Sequence, residues 1–193
     1  MFNTQADIFF EAPTKNRKPP NTFGVLYLLR RDVITCLGVD PSSGTPTSYR
    51  ALWPGAMGIL AGVDLVAKFW RGSDERGEVG KRFKKFVNKY FQPIPAGDEE
   101  VLYQLRNSLL HSFGLYSEDK GKVYRFHLSD QRGSQQTPLV HHNPPDVYQV
   151  DILTLHDQFE RAIMQYQNDV ESNVKLQQNF NLMFPKYGAI KIK

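Results

Sequence analysis

Ala51-Leu52-Trp53-Pro54-Gly55-Ala56-Met57-Gly58-Ile59-Leu60-Ala61-Gly62-Val63-Asp64-Leu65-Val66-Ala67-Lys68-Phe69-Trp70 admits two readings, a membrane span or the core helix of a globular bundle. Its uncharged run stops at Val63, after thirteen residues, where a span needs about 20. Asp64 and Lys68 follow, and each charge would cost about 2.5–3.5 kcal/mol at a bilayer centre. A buried core helix from about Pro54 to Trp70 fits better, with Pro54 in the first turn where its missing N–H is not needed. Gly55, Gly58 and Gly62 lower intrinsic helicity; their value is close approach of a neighbouring helix. Asp64 and Lys68 are spaced to pair along the helix, and a half-buried ion pair is their expected role. The alternative is that Asp64 holds Arg106 in orientation, as a supporting carboxylate does.

Outward from this helix, hydrophobic periodicity marks a mainly α protein. Residues 1–21 read as an irregular or edge-strand lead-in. A helix over Phe23 to about Leu37 follows, capped near Asn21-Thr22, with Leu26, Leu29, Val33 and Leu37 on one stripe. Asp40 to Thr47 is a loop by its turn residues. A strongly amphipathic helix over Glu75–Phe91 sets Val79, Phe83, Phe86, Val87 and Tyr90 against Lys81, Lys84, Lys85 and Lys89. The next helix opens on Asp98-Glu99-Glu100, where the helix dipole favours acids, and runs to about Tyr116. After Gly121 the period changes to 2 in Lys122–Leu128 and again in Val147–Val150, predicting a small antiparallel hairpin insertion over 122–150. A long final helix over 152–179 buries Leu155, Phe159, Ile163 and Tyr166, and the tail Tyr187–Lys193 adds a short strand. One domain over 1–193 accommodates all of this.

Composition narrows the classes. With 40% apolar and 23% charged residues, the chain has no signature of disorder. A formal charge of +4 permits an anionic partner without demanding one. Cys36 is the single cysteine, so an internal disulfide and any zinc site needing two thiolates are excluded. The N-terminus carries no basic-then-apolar signal, so a cytoplasmic location without membrane attachment is the expectation. No P-loop, dinucleotide-binding glycine motif, nucleophile elbow or HExxH motif is present.

Catalytic-type residues concentrate in Leu102-Tyr103-Gln104-Leu105-Arg106-Asn107-Ser108-Leu109-Leu110-His111-Ser112-Phe113. Asn107 and His111 lie one turn apart on one face. Arg106 lies about 140° from His111 around an ideal helix, which predicts that one helix splays them unless it is distorted; a two-fold dimer packing this stripe against its copy would bring Arg and His together. Such a cluster suits RNA transesterification without a metal or cofactor. Histidine carries protons near neutral pH. Arginine offers a charged fork to phosphate oxygens, and asparagine orients without charge.

The spacing Arg106-Asn107-x-x-x-His111 in mid-helix resembles the R-x(4–6)-H motif of HEPN domains, and Leu60–Phe69 resembles the core helix of that superfamily. The resemblance runs from Phe23 to Asn179, the hairpin being a variable insertion. It implies a homodimeric HEPN-like helical bundle and, in active members, a metal-independent endoribonuclease leaving cyclic phosphate ends, in toxin or defence settings and sometimes beside a nucleotidyltransferase-like antitoxin. On that resemblance His111 transfers protons, Arg106 binds phosphate and Asn107 positions the RNA. Other members are non-catalytic dimerisation or ligand-binding modules, and that alternative stays open.

Simpler readings stand beside these. Arg106 and His111 also fit an exposed arginine and a hydrogen-bonded histidine. Lys81, Lys84, Lys85 and Lys89 are RNA-binding candidates, though a solvated face is the simpler account. His141-His142 reads as loop rather than metal site, because adjacent strand residues point to opposite faces.

Overall fold

The computed structural model describes residues 2–14, 21–131, 137–141 and 146–191. Its elements run α1 (Phe2–Phe10), β1 (Thr22–Gly24), α2 (Val25–Cys36), α3 (Leu52–Arg71), α4 (Val79–Tyr90), α5 (Asp98–His111), β2 (Tyr116–Asp119), β3 (Lys122–Ser129), β4 (Leu139–His141), β5 (Val147–Asp151), α6 (Ile152–Ser172), α7 (Val174–Tyr187) and β6 (Ala189–Lys191). The mainly α expectation holds.

α3 is the central helix. Ile59, Leu60, Val63, Val66, Ala67 and Phe69 are fully buried, and α2, α4, α5, α6 and α7 all pack on it. It is long and apolar enough to cross a membrane by length and composition, but 61% of its most apolar window is buried inside the protein. The glycines permit this crowding. A Cβ at Gly62 would meet Phe159 at 2.4 Å, and one at Gly58 would meet Val33 at 2.6 Å. α3 therefore sits closer to α6 and α2 than any larger residue allows.

Five sequence expectations need correction. The helix expected from Phe23 with a cap near Asn21-Thr22 begins at Val25 after Gly24, because Thr22–Gly24 pairs as strand β1 with β6. The lead-in is not irregular throughout: α1 occupies Phe2–Phe10, and its Phe9 and Phe10 are buried against Phe69 and Phe180. A nine-residue helix is marginal by itself, so tertiary burial of the two rings stabilises it. After α1, residues 11–14 are irregular as expected, and 15–20 lie outside the described residues.

The helix expected to end near Tyr116 stops at His111. Gly114 N–H reaches back to the Ser108 carbonyl at 3.0 Å, and Phe113 takes φ +48°; this left-handed turn redirects the chain into β2.

The hairpin over 122–150 is a mixed four-stranded sheet in the order β2-β3-β5-β4. The two alternating segments, β3 and β5, pair parallel, with Phe126 opposite Tyr148 and Leu128 opposite Val150. The true hairpin is β2–β3, closed through Lys120 and Gly121, both at positive φ, as a tight two-residue turn requires. β4 pairs antiparallel with β5 on the far edge. Period-2 alternation is the same for either strand direction, so the sequence pattern carried no sign of it.

The final helix is two helices. Asn173 leaves helical geometry at φ −122°, ψ 109°, and its side chain accepts from the N–H groups of Lys175 and Leu176. That is the N-cap preference of asparagine overriding propensity. The tail strand forms as β6, antiparallel to β1, while 192–193 lie outside the described residues.

Candidate active site

α3 and α5 position the cluster between them. Asp64, 7% exposed, is the one ionisable side chain among the buried residues of α3. A lone carboxylate there would be costly, and Arg106 of α5 resolves it. Arg106 Nε and Nη2 both donate to Asp64 Oδ2, at 2.8 and 2.5 Å. The two side chains are 12% and 10% exposed. Asp64 thus pairs with Arg106 rather than with Lys68, whose ammonium lies 4.8 Å from the Tyr187 ring centre. The expected Asp64–Lys68 pair gives way because the packing of α5 on α3 brings two guanidinium N–H donors onto one Asp64 oxygen. Asp64 Oδ1 is buried without a hydrogen-bond partner among the described residues.

With its Nε edge fixed, Arg106 turns Nη1 outward. Nη1 donates to Asn107 Oδ1 at 3.1 Å and lies 2.6 Å from His111 Nε2. Arginine has only donors, so in this contact His111 Nε2 is the acceptor. The expectation that one helix splays Arg106 and His111 is therefore corrected. Side-chain length closes the gap, and His111, at the last residue of α5, swings back along the helix. The contact needs no second chain. His111 is exposed, Asn107 half-buried.

Of this cluster, Asn107 and His111 line a cleft of about 660 Å³, whose lining does not include Arg106 or Asp64. Its floor is one stripe of α5, Glu100, Gln104, Asn107 and His111; Lys84 of α4 and the β2 end of the hairpin form its walls. Buried Gln104 accepts from Ser117 Oγ at 2.7 Å and donates to Glu100 at 2.9 Å, while Lys84 donates to the other Glu100 oxygen at 2.6 Å. This chain ties β2, α5 and α4 together. Burial pushes the Glu100 carboxyl up, but the bonds from Lys84 and Gln104 outweigh it and hold the group below its ordinary value. The bond to Glu100 raises the Lys84 ammonium above its own. Glu100 and Gln104 were missed as site residues, although their spacing of four, three and four residues with Asn107 and His111 is a helical stripe.

The four lysines do not act as one face. Lys81 pairs with Glu78 at 3.2 Å, Lys84 with Glu100 at 2.6 Å, and Lys89 with Asp169 at 2.9 Å. Lys85 is exposed and makes no ion pair among the described residues. Lys84 is the one of the four that lines the cleft, beside Lys120 and against Glu100, Glu118 and Asp119. Two ammonium groups against three carboxylates leave that lining without positive excess.

Among the described residues no group of three or more His, Cys, Asp or Glu is placed to hold a metal ion. Of the His141-His142 pair, His142 lies outside the described residues. Comparison with protein-family models, curated proteins and solved structures gives no match.

Proposed function

We propose that this chain is a metal-independent endoribonuclease of HEPN type, cleaving RNA by transesterification at Arg106, Asn107 and His111. One observation carries the reading: Arg106 is clamped by Asp64 on one edge and presents Nη1 to Asn107 and His111 on the other. A fixed guanidinium one hydrogen bond from a histidine at the rim of a cleft is an arrangement for neutralising phosphate charge beside a proton carrier. In the proposed step the 2′-oxygen attacks the adjacent phosphorus and loses its proton, and the 5′-oxygen leaves and gains one. The products are a 2′,3′-cyclic phosphate and a 5′-hydroxyl. One histidine serves one of the two proton transfers, and a second His111 across a two-fold axis would serve the other, which supports a homodimer.

The near-neutral lining of the cleft favours the competing reading, a non-catalytic dimerisation or ligand-binding module. The two separate on mixed RNA incubated with and without EDTA, beside the His111→Ala variant. The nuclease reading predicts EDTA-resistant cleavage that vanishes in the variant. No cleavage by the wild type, with a dimer seen by light scattering, favours the module.

A further inference from the structure

The end of α2, the loop that follows it and the start of α6 enclose a second opening, of about 520 Å³, that shares no residue with the cleft beside His111. Ile34 and Leu37 line it from α2 and its cap, Val39 and Pro46 from the loop, and Leu153 from α6. Ile34, Val39 and Leu153 are only half-buried, so aliphatic surface is left facing the opening instead of being closed into the core. A cavity of this size, with apolar walls and a few polar groups, is the usual form of a small-molecule site.

Three polar side chains share the lining: Arg50, His156 and Asp157. Arg50 is held in place. Its stem lies on Gly38, where an added Cβ would meet Cγ at 2.8 Å, and its Nη1 donates to Asp130 at 3.0 Å. The loop that carries it is closed by the Val39–Pro46 bridge and by the Thr47 N–H on the Gly38 carbonyl at 2.8 Å. Arg50 Nε and Nη2 make no hydrogen bond among the described residues, and a guanidinium has donors for a second carboxylate on another edge. His156 turns its ring nitrogens toward Asp157 at 3.9 Å and Glu160 at 3.7 Å. Asp157 is the one carboxylate in the lining, and its side chain is 40% exposed.

These charges select the guest. A purely anionic molecule would be repelled by Asp157, and a purely cationic one by Arg50. A molecule with both charges on an apolar body satisfies both groups and covers the aliphatic walls. We infer that this pocket binds a free α-amino acid with an apolar side chain. Its carboxylate lies on Arg50, its ammonium on Asp157, and its side chain among Ile34, Leu37, Val39 and Leu153. Both polar contacts are charge-assisted hydrogen bonds, which are the strong ones.

The test is isothermal titration calorimetry of the full chain with L-leucine, beside leucinamide, which lacks the carboxylate, and isocaproate, which lacks the ammonium. L-Leucine is expected to bind and to raise the melting temperature. Each analogue is expected to bind about tenfold or more weakly, the weight of one hydrogen-bonded charge. Arg50→Gln should lose the preference for leucine over leucinamide, and Asp157→Asn the preference over isocaproate, each variant keeping the other. A merely structural role would lower the melting temperature of the ligand-free variant and leave both preferences in place. The analogue series on the wild type stands even if a variant fails to fold. No binding of L-leucine at millimolar concentration overturns the inference, as does equal binding of all three ligands or unchanged preferences in both variants. Leucinamide binding as tightly as leucine also overturns it, because the pocket then takes the N-terminus of a peptide. None of these measurements involves RNA, so they hold or fail apart from the nuclease reading.

Discussion

Arg82 and Arg106 stand on neighbouring helices, α4 and α5, and both are withdrawn from water, yet they are held in opposite ways. Arg82 is 2% exposed, with Nε and Nη2 buried and without hydrogen-bond partners among the described residues; its Nη1 reaches the Glu75 carbonyl at 3.4 Å. Arg106 is less buried and far better partnered, with Asp64 on one edge and Asn107 and His111 on the other. An isolated buried charge is a liability, while a paired one is fixed in direction. Burial therefore does not mark the arginine proposed to act on RNA. What marks Arg106 is that its partners leave one nitrogen aimed at a proton carrier on the edge of a cleft.

The largest effects should fall on the aimed arginine and its histidine. Arg106→Ala and His111→Ala are each expected to lower the single-turnover cleavage rate by about 10²-fold or more, the usual weight of one electrostatic or proton-transfer group. Arg106→Lys should recover little, because an ammonium cannot bridge the Asp64 carboxylate and the Asn107 and His111 acceptors as a planar fork does. Wild-type rates in Arg106→Ala would remove the distinction between the two arginines.

Next comes the clamp. Asp64→Ala leaves Arg106 buried and uncompensated, which should cost about 3–5 kcal/mol in urea unfolding and lower cleavage with it. Arg82→Met should do the opposite, being neutral or stabilising by about 1–4 kcal/mol, since it removes a buried charge whose loss strands no carboxylate. A folded Arg82→Met protein that no longer cleaves RNA would show that Arg82 serves the site after all.

The smallest effect belongs to the cleft wall. Lys84→Met is expected to change stability by about 1 kcal/mol or less, because the Lys84–Glu100 pair is partly solvated. Its signature is in pH. The Glu100 carboxyl is held below its ordinary 4.5, so its contribution is complete above that pH and lost on acidification through the lowered value. The Lys84 ammonium is raised above 10.5, so its contribution is complete below that pH and lost as pH rises through the raised value. Lys84→Met should weaken the acid-side dependence and remove Lys84's own share of the alkaline one. A stability profile identical to the wild type would show that the pair contributes nothing.

The helical body was legible because burial imposes a 3.6-residue period on α2, α3, α4 and α6 strongly enough to survive single misfits such as Gly58 and Gly62. The parallel pairing of β3 and β5 was not, since a period of 2 encodes which face is buried and says nothing of strand direction. The break at Asn173 was hidden inside a continuous apolar pattern and depends on one side chain capping two N–H groups. In the site, Arg106, Asn107 and His111 were readable as a cluster. Their direct contact was not, because helical angles describe Cβ positions and a long arginine reaches past them. Asp64 shows the same limit: its sequence neighbour Lys68 was a nearer candidate than Arg106, and only packing of α3 on α5 decides between them.

The most direct test of the central claim is end-group analysis of a single-stranded RNA treated with the wild type, with Arg106→Ala and with His111→Ala, beside the same RNA carrying a 2′-deoxy sugar at the cleaved position. The account predicts 2′,3′-cyclic phosphate and 5′-hydroxyl ends from the wild type, none from either variant though both stay folded by circular dichroism, and resistance of the deoxy position. Cleavage at the deoxy position, or wild-type yields of cyclic ends from Arg106→Ala, would contradict it.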